Sequence, residues 1–161
     1  MREIEETARD IRKKIYQIAH HAGGGHMGAS FSMADIISVL YFDDVLKYDA
    51  ANPNWEDRDK FILSKGHASY ALYAALAKAG YFPEEELWHV GQPGSKFGGH
   101  PKRNDIPGVE ASTGALGHGL SFAIGIAFAN KVDRKDSHIY VVLGDGECIF
   151  SIFIIYNSTV I

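Results

Sequence analysis

The stretch from Ile139 to Glu147 reads Ile-Tyr-Val-Val-Leu-Gly-Asp-Gly-Glu and indicates the fold class of this chain. Its first five residues are continuously apolar and rich in β-branched side chains, which predicts a strand buried on both faces of a parallel sheet. The Gly-Asp-Gly turn then follows at the carboxyl end of that strand, where open α/β sheets place their ligands. The chain is therefore expected to be an α/β protein.

This turn has the chemistry to bind a phosphate together with a metal ion. Gly144 and Gly146 would let backbone N–H groups approach a phosphate, while Asp145 supplies a hard oxygen ligand for Mg²⁺. The motif is short and Asp-Gly is a common turn pair, so taken alone it fits a tight surface turn equally well.

A second strand end of the same kind occurs earlier in the chain. Phe61-Ile62-Leu63 is a short apolar run that ends at Ser64-Lys65-Gly66-His67, and a helical pattern follows to Gly80. His67 is then expected at a helix start, where backbone donors and the helix dipole favour an anion. A histidine at such a position is more often a structural hydrogen-bonding residue, but two such strand ends in one domain favour a binding role.

Two further histidines stand among glycines. His26 lies in Gly-Gly-Gly-His-Met-Gly and His100 in Gly-Gly-His-Pro, and neither belongs to a helical apolar pattern. Near neutral pH a histidine can donate to a substrate oxygen or move a proton. The other histidines lack such a setting and are interpreted as structural or solvated: His20, His21, His89, His118 and His138.

Helices are expected around the sheet. Apolar residues at three- and four-residue steps predict a first helix from Ile4 to Ala22, which three glycines end. A second helix is expected after Ser32, because Ser32 to Asp35 has capping-box spacing. A later helix carries small residues four apart, where another backbone could come very close; they are Gly117, Ser121, Gly125 and Ala129.

Composition limits the classes of function. The chain has 161 residues, 46% of them hydrophobic and 22% charged, which is typical of one soluble globular domain. Its 16 Lys and Arg are scattered among 20 acids, so no nucleic-acid partner is expected. One cysteine and no signal peptide predict a cytoplasmic location. The apolar run from Cys148 to Ile161 is shorter than the roughly 20 residues of a membrane helix, so no membrane partner is expected.

Four segments, taken together and in this order, resemble the transketolase family; they are 24–30, 58–68, 99–119 and 144–147. The Gly-Ala-Leu-Gly-His-Gly run at 114–119 favours transketolase over the related deoxyxylulose-phosphate synthases. The short start and the Gly-Gly-Gly-His form look most like the small N-terminal subunit of split bacterial transketolases. The resemblance extends from about Thr7 to Cys148.

The resemblance implies a thiamine-diphosphate-binding fold, with a mostly parallel sheet flanked by helices over residues 1–148. It also implies thiamine diphosphate and Mg²⁺ (or Ca²⁺) as cofactors. The expected activity is transfer of a two-carbon ketol unit between sugar phosphates.

The resemblance further assigns roles residue by residue. His67 would contact the cofactor diphosphate, with Gly146 packed against it, and Asp145 would be the first metal ligand. Gly114 and Leu116 would lie against the aminopyrimidine side of the cofactor. Catalytic roles fall to two histidines: His26 and His100 would face the ketose hydroxyls and assist proton transfer.

The sequence departs from the family after Glu147. Residues 148–151 replace an Asn-Glu-Gly or Met-Glu-Gly run, and the chain ends before the Asn that completes the family's metal site. Residues 149–161 form an atypical apolar tail, expected to be an uncovered edge strand. We therefore expect a truncated or frame-shifted product that is inactive alone. Its expected partner, in a homo- or hetero-oligomer, is a C-terminal transketolase subunit or domain carrying the Glu that activates the aminopyrimidine.

Two other interpretations stay open. The chain could be a non-catalytic structural or regulatory subunit that binds the partner half. It could also be part of another ketol transferase, such as a dihydroxyacetone synthase.

Overall fold

The computed structural model describes residues 2–149 and contains a parallel pair of strands among helices. In chain order the elements are α1 (Arg2–His21), α2 (Met27–Phe31), α3 (Ala34–Phe42), β1 (Lys60–Leu63), α4 (Ser69–Lys78), α5 (His118–Val132) and β2 (Ile139–Val142). Short 3₁₀ helices occupy Gly66–Ala68 and Glu84–His89. The predicted α/β class is confirmed.

The two strands pair in parallel and end at the same edge of the sheet. Lys60 lies opposite Ile139, and Leu63 opposite Val142. The pairing continues one residue further, because the Ser64 N–H donates to the Val142 carbonyl at 2.9 Å. The turns that follow β1 and β2 are therefore neighbours in space.

Helices cover both faces of β1. Phe61 and Leu63 belong to the hydrophobic core that α1, α3 and α4 build. Ile62, which is also buried, points to the opposite face, because successive side chains of a strand alternate. That face is where α5 packs.

The prediction that β2 is buried on both faces is wrong for the described residues. All residues of β2 are half-buried. The reason is that, within residues 2–149, β2 pairs with β1 alone and its other edge has no strand beside it.

Helix α1 matches its prediction closely. Ile11, Ile15 and Ile18 form its buried face. The chain leaves the helix through the glycines, with Gly23 at a φ of 75°. The N–H of Gly24 donates to the Ala19 carbonyl at 2.8 Å, which satisfies one of the last helical carbonyls.

The capping-box prediction at Ser32 is wrong. The Ser32 hydroxyl donates to the Ala29 carbonyl at 2.9 Å, and α3 begins at Ala34 without a side-chain cap. The preceding residues form the short helix α2, which the sequence pattern did not predict. Because the Ala29 carbonyl of α2 lies nearby, the Ser32 hydroxyl donates to this preceding residue and does not accept an N–H from the first turn of α3.

The small-residue stripe on α5 is not covered by any backbone within the described residues, so its predicted close approach to another backbone stays a prediction. No atom of residues 2–149 lies within 4 Å of where a Cβ on Gly125 would be, and Gly117 precedes the helix. The close approach occurs at Gly119, whose added Cβ would lie 2.5 Å from the Ser64 Cβ. Helix α5 therefore meets the end of β1 at Gly119.

The end of the chain lies outside the described residues. Of the predicted tail 149–161, only Ile149 is described, at the end of a helical turn that starts at Glu147. The predicted edge strand at 150–161 is thus untested. Within residues 2–149, no helix is both long enough and apolar enough to cross a membrane.

Candidate functional site

A buried carboxylate ties the two strand ends together. Glu147 is 2% exposed, and its Oε2 accepts the N–H of Gly144 at 2.9 Å, directly after β2. Its Oε1 accepts the N–H of Gly117 at 2.9 Å and also the hydroxyl of Ser64, directly after β1. One side chain therefore joins both strand ends to the start of α5.

Glu147 belongs to the motif that the sequence indicated, but no role was predicted for it. A signal was present, because an acid in the first turn of a helix is well placed to accept unpaired N–H groups. The Ser64 and Gly117 partners are far away in the sequence and become visible only in the fold.

The structure brings the three predicted histidines together. His67 lies in the 3₁₀ turn after β1, and its ring centroid is 5.3 Å from that of His26, in an edge-to-face arrangement. Desolvation by burial lowers the pKa of His67, and the nearby positive charges of His26, Lys65 and His100 lower it further. His67 is consequently neutral near pH 7 and can donate one hydrogen bond while accepting another.

Gly114 lies directly against one of these histidines. Its φ is 153°, and an added Cβ would lie 3.1 Å from the Cδ2 atom of His100. Leu116, two residues further on, is 42% exposed. The loop before α5 thus brings Gly114 to the histidine cluster and leaves the Leu116 side chain facing outward.

A lysine that was not predicted as a site residue lies beside Asp145. The Nζ of Lys65 donates to the Ala29 carbonyl at 3.0 Å and to the Ser32 hydroxyl at 2.8 Å. The pKa of Lys65 is lowered, because the effect of burial outweighs the opposing effect of the Asp145 and Glu147 carboxylates. The turn after β1 therefore carries a cation that faces the acids of the turn after β2.

The turn after β2 is open at the two positions predicted to meet a ligand. Asp145 is exposed, and no atom of residues 2–149 lies within 4 Å of where a Cβ on Gly146 would be. A phosphate can reach the backbone at such a glycine. This arrangement fits a diphosphate that approaches Gly146 with His67 and Lys65 nearby.

The described residues offer fewer candidate ligands for a metal ion than for a phosphate. Across the described part of the chain, no group of three or more His, Cys, Asp or Glu side chains is arranged to hold a metal ion. Magnesium is commonly held by one or two carboxylates together with phosphate oxygens and waters. Asp145 fits such a role only if a bound phosphate supplies further oxygens.

Comparison with known proteins identifies the family of this chain. The family model described as "Transketolase, thiamine diphosphate binding domain" matches residues 4–152. One of the subunits of the apulose-4-phosphate transketolase of Actinobacillus succinogenes is 45% identical, over 90% of this chain and 52% of its own length. The 6-deoxy-6-sulfo-D-fructose transketolase subunit of Clostridium sp. (strain MSTE9) is 41% identical, again over 90% of this chain and 52% of its own length.

A solved structure agrees with these sequence matches. Transketolase from Campylobacter jejuni superimposes with a TM-score of 0.87 at 37% identity, covering 92% of this chain and 24% of the other. The family match identifies the fold as that of a thiamine diphosphate binding domain. The chain belongs to the transketolase family. It spans about half the length of the split-enzyme subunits that it matches.

Proposed function

We propose that this chain supplies the diphosphate-binding part of an enzyme that transfers a two-carbon ketol unit between sugar phosphates. The observation that carries the proposal is the shared edge of β1 and β2, where Glu147 joins the two strand ends. The turn after β1 carries the imidazole of His67 and the ammonium of Lys65, and the turn after β2 carries the carboxylate of Asp145. The cytoplasmic location stays a prediction.

Each residue of this edge has a role in the proposal. His67 and Lys65 bind the diphosphate oxygens, and the backbone at Gly146 packs against them. Asp145 contributes one oxygen ligand to Mg²⁺ (or Ca²⁺). When bound, thiamine diphosphate supplies the carbanion chemistry, whereas the protein provides position and charge.

The remaining predicted residues are assigned to the substrate and to the far end of the cofactor. His26 and His100 donate hydrogen bonds to ketose hydroxyls and move protons there, a role that an imidazole ring can fill because it has two nitrogens able to donate or accept. Gly114 and Leu116 lie against the aminopyrimidine side. The proximity of Gly114 to His100 supports the view that cofactor and sugar meet at this loop.

The proposed enzyme requires a second polypeptide or domain. The outward face of α5 exposes large apolar side chains, among them Phe122 at 45%, Phe128 at 68% and Val132 at 65%. Exposed apolar surface of this kind is typical of a protein interface. We propose that a C-terminal transketolase subunit or domain, carrying the activating Glu, covers it in a homo- or hetero-oligomer.

Co-expression with the C-terminal subunit of a split transketolase tests the proposal. The complex is expected to bind thiamine diphosphate with Mg²⁺ in isothermal titration and to transfer ketol units, while the chain alone does neither. His67→Ala should weaken cofactor binding in the complex, and the exposed His89→Ala is the matched control. Micromolar binding by the isolated chain would contradict the need for a partner.

A stable complex that neither binds cofactor nor transfers ketol units would instead favour a structural or regulatory subunit. The exposed apolar face of α5 supports that second candidate as well, because it requires only a partner. Measuring cofactor binding and activity separately distinguishes the two candidates.

A further inference from the structure

Side-chain hydroxyls of helix α4 donate hydrogen bonds to two glycine loops, the one at 23–25 before His26 and the one at 98–99 before His100. The Tyr70 hydroxyl donates to the Gly24 carbonyl at 2.9 Å. On the other side, the Ser69 hydroxyl donates to the Gly99 carbonyl at 2.9 Å, and the Tyr73 hydroxyl to the Gly98 carbonyl at 2.9 Å. These carbonyls lie one or two residues before the histidines that the two loops carry.

The three donor residues are buried, whereas Gly24 and Gly99, whose carbonyls accept two of the bonds, are exposed. Ser69 and Tyr73 are 0% exposed and Tyr70 is 7% exposed. Burial raises the pKa of both tyrosines, which keeps their hydroxyls protonated as donors. Removing one of these hydroxyls takes away the protein donor that fixes the loop backbone next to a histidine.

Ring contacts reinforce the hydroxyl contacts. A Cβ on Gly25 would lie 2.4 Å from the Cε2 atom of Tyr70, so the backbone just before His26 lies directly on the tyrosine ring. The Tyr73 ring packs edge-to-face on Phe97, with centroids 5.4 Å apart, at the start of the other loop. Each loop is therefore fixed both by packing and by hydrogen bonding.

The helix that provides these contacts begins at Ser69, directly after the 3₁₀ turn that carries His67. One rigid element is thus linked to all three histidines of the site. Sites supported by helices are held more precisely than sites on free loops.

We propose that Ser69, Tyr70 and Tyr73 are positioning residues that orient His26 and His100 around His67. Tyr70 acts on His26 alone, whereas Ser69 and Tyr73 act on His100. The consequence for ketol transfer rests on the proposed function, but the effect on the imidazole rings does not.

Nuclear magnetic resonance of the full chain, labelled at its histidines, tests the proposal without any cofactor or partner. Tyr70→Phe is expected to shift the imidazole signals of His26 and to leave those of His100 unchanged. Tyr73→Phe and Ser69→Ala are expected to do the reverse.

Tyr48→Phe is the matched control. The Tyr48 hydroxyl also donates to a backbone carbonyl, that of Tyr41 at 3.0 Å, but far in the sequence from both glycine loops. The control removes an equivalent hydrogen bond and should leave both histidines unchanged. If Tyr70→Phe and Tyr73→Phe affect both histidines alike, or neither more than the control does, the positioning role is refuted.

A second variant for each loop guards against a tyrosine variant that does not fold. Gly25→Ala displaces the Tyr70 ring and should move the His26 signals alone, while Ser69→Ala covers the His100 loop. In the assembled enzyme, Tyr70→Phe should lower kcat/KM for the ketose roughly tenfold with cofactor affinity unchanged. Shifted imidazole signals in an inactive assembly would leave the positioning role intact and count against the proposed function alone.

Discussion

Replacing Glu147 by glutamine should destabilise the domain although the two side chains have nearly the same shape. All the hydrogen bonds described for this carboxylate are accepted, from the Gly144 N–H, the Gly117 N–H and the Ser64 hydroxyl. A glutamine has one acceptor oxygen and one NH₂ group, so a donor must face a donor on one side. The carboxylate is 2% exposed, which leaves little room for water to relieve the conflict.

The expected loss in the free energy of unfolding is about 3 kcal/mol, from a hydrogen bond to a charged acceptor and an unsatisfied buried donor. Urea unfolding followed by circular dichroism measures it, with the slope m unchanged. Glu86→Gln is the control, because Glu86 forms a partly exposed pair with Lys96 and should cost at most about 1 kcal/mol. A Glu147→Gln variant no less stable than this control would refute the reasoning.

Three further predictions concern other parts of the domain. Gly119→Ala should lower the unfolding free energy by about 1–3 kcal/mol, because the added Cβ would clash with the end of β1. Gly125→Ala is the control and should be neutral or stabilising, and thermal unfolding compares the two variants. Arg58→Ala should cost about 3–5 kcal/mol in urea unfolding, because it leaves the mostly buried Glu110, 2.8 Å away, without its partner. Because the pKa of His67 is lowered in the folded chain, the unfolded chain binds a proton at this residue more readily. The stability that neutral His67 contributes is therefore lost as the pH falls from about 6.5 through the folded pKa. Stability measured against pH should therefore fall less on acidification in His67→Gln than in the parent chain.

The strand ends could be predicted from the sequence because their signals are local. Each strand is a short apolar run followed at once by glycine and polar residues, and parallel pairing brings the carboxyl ends of strands to one edge. The hydrogen bond from Ser64 to Val142 places the two turns together as this argument requires. The contact of His26 with His67 could not be predicted from local signals, because His26 directly precedes the short helix α2, which no sequence pattern indicated.

The residues that organise the site could not be predicted in the same way. The contacts of Glu147 with Ser64, and of Tyr70 with Gly24, join positions far apart in the chain and follow no periodicity. Periodicity on α5 also could not indicate the glycine that packs within the domain, because a spacing of four shows which residues share a face but not which face is buried. The glycine that packs is Gly119, since the end of β1 lies beneath it, and not Gly125.

The two ends of the proposed cofactor site depend on different parts of the protein. The diphosphate end relies on His67, Lys65 and Gly146, and contacts among residues 2–149 already orient the turns that carry them. By contrast, Leu116 at the aminopyrimidine end is 42% exposed and adjoins the uncovered apolar face of α5. Under the proposed function, the diphosphate end therefore depends on contacts within this part of the fold, whereas the surface that encloses the reactive end depends on the partner. Partner binding and the closing of the reactive end are therefore expected to be one event, in which burial of the α5 face also removes water from around Leu116.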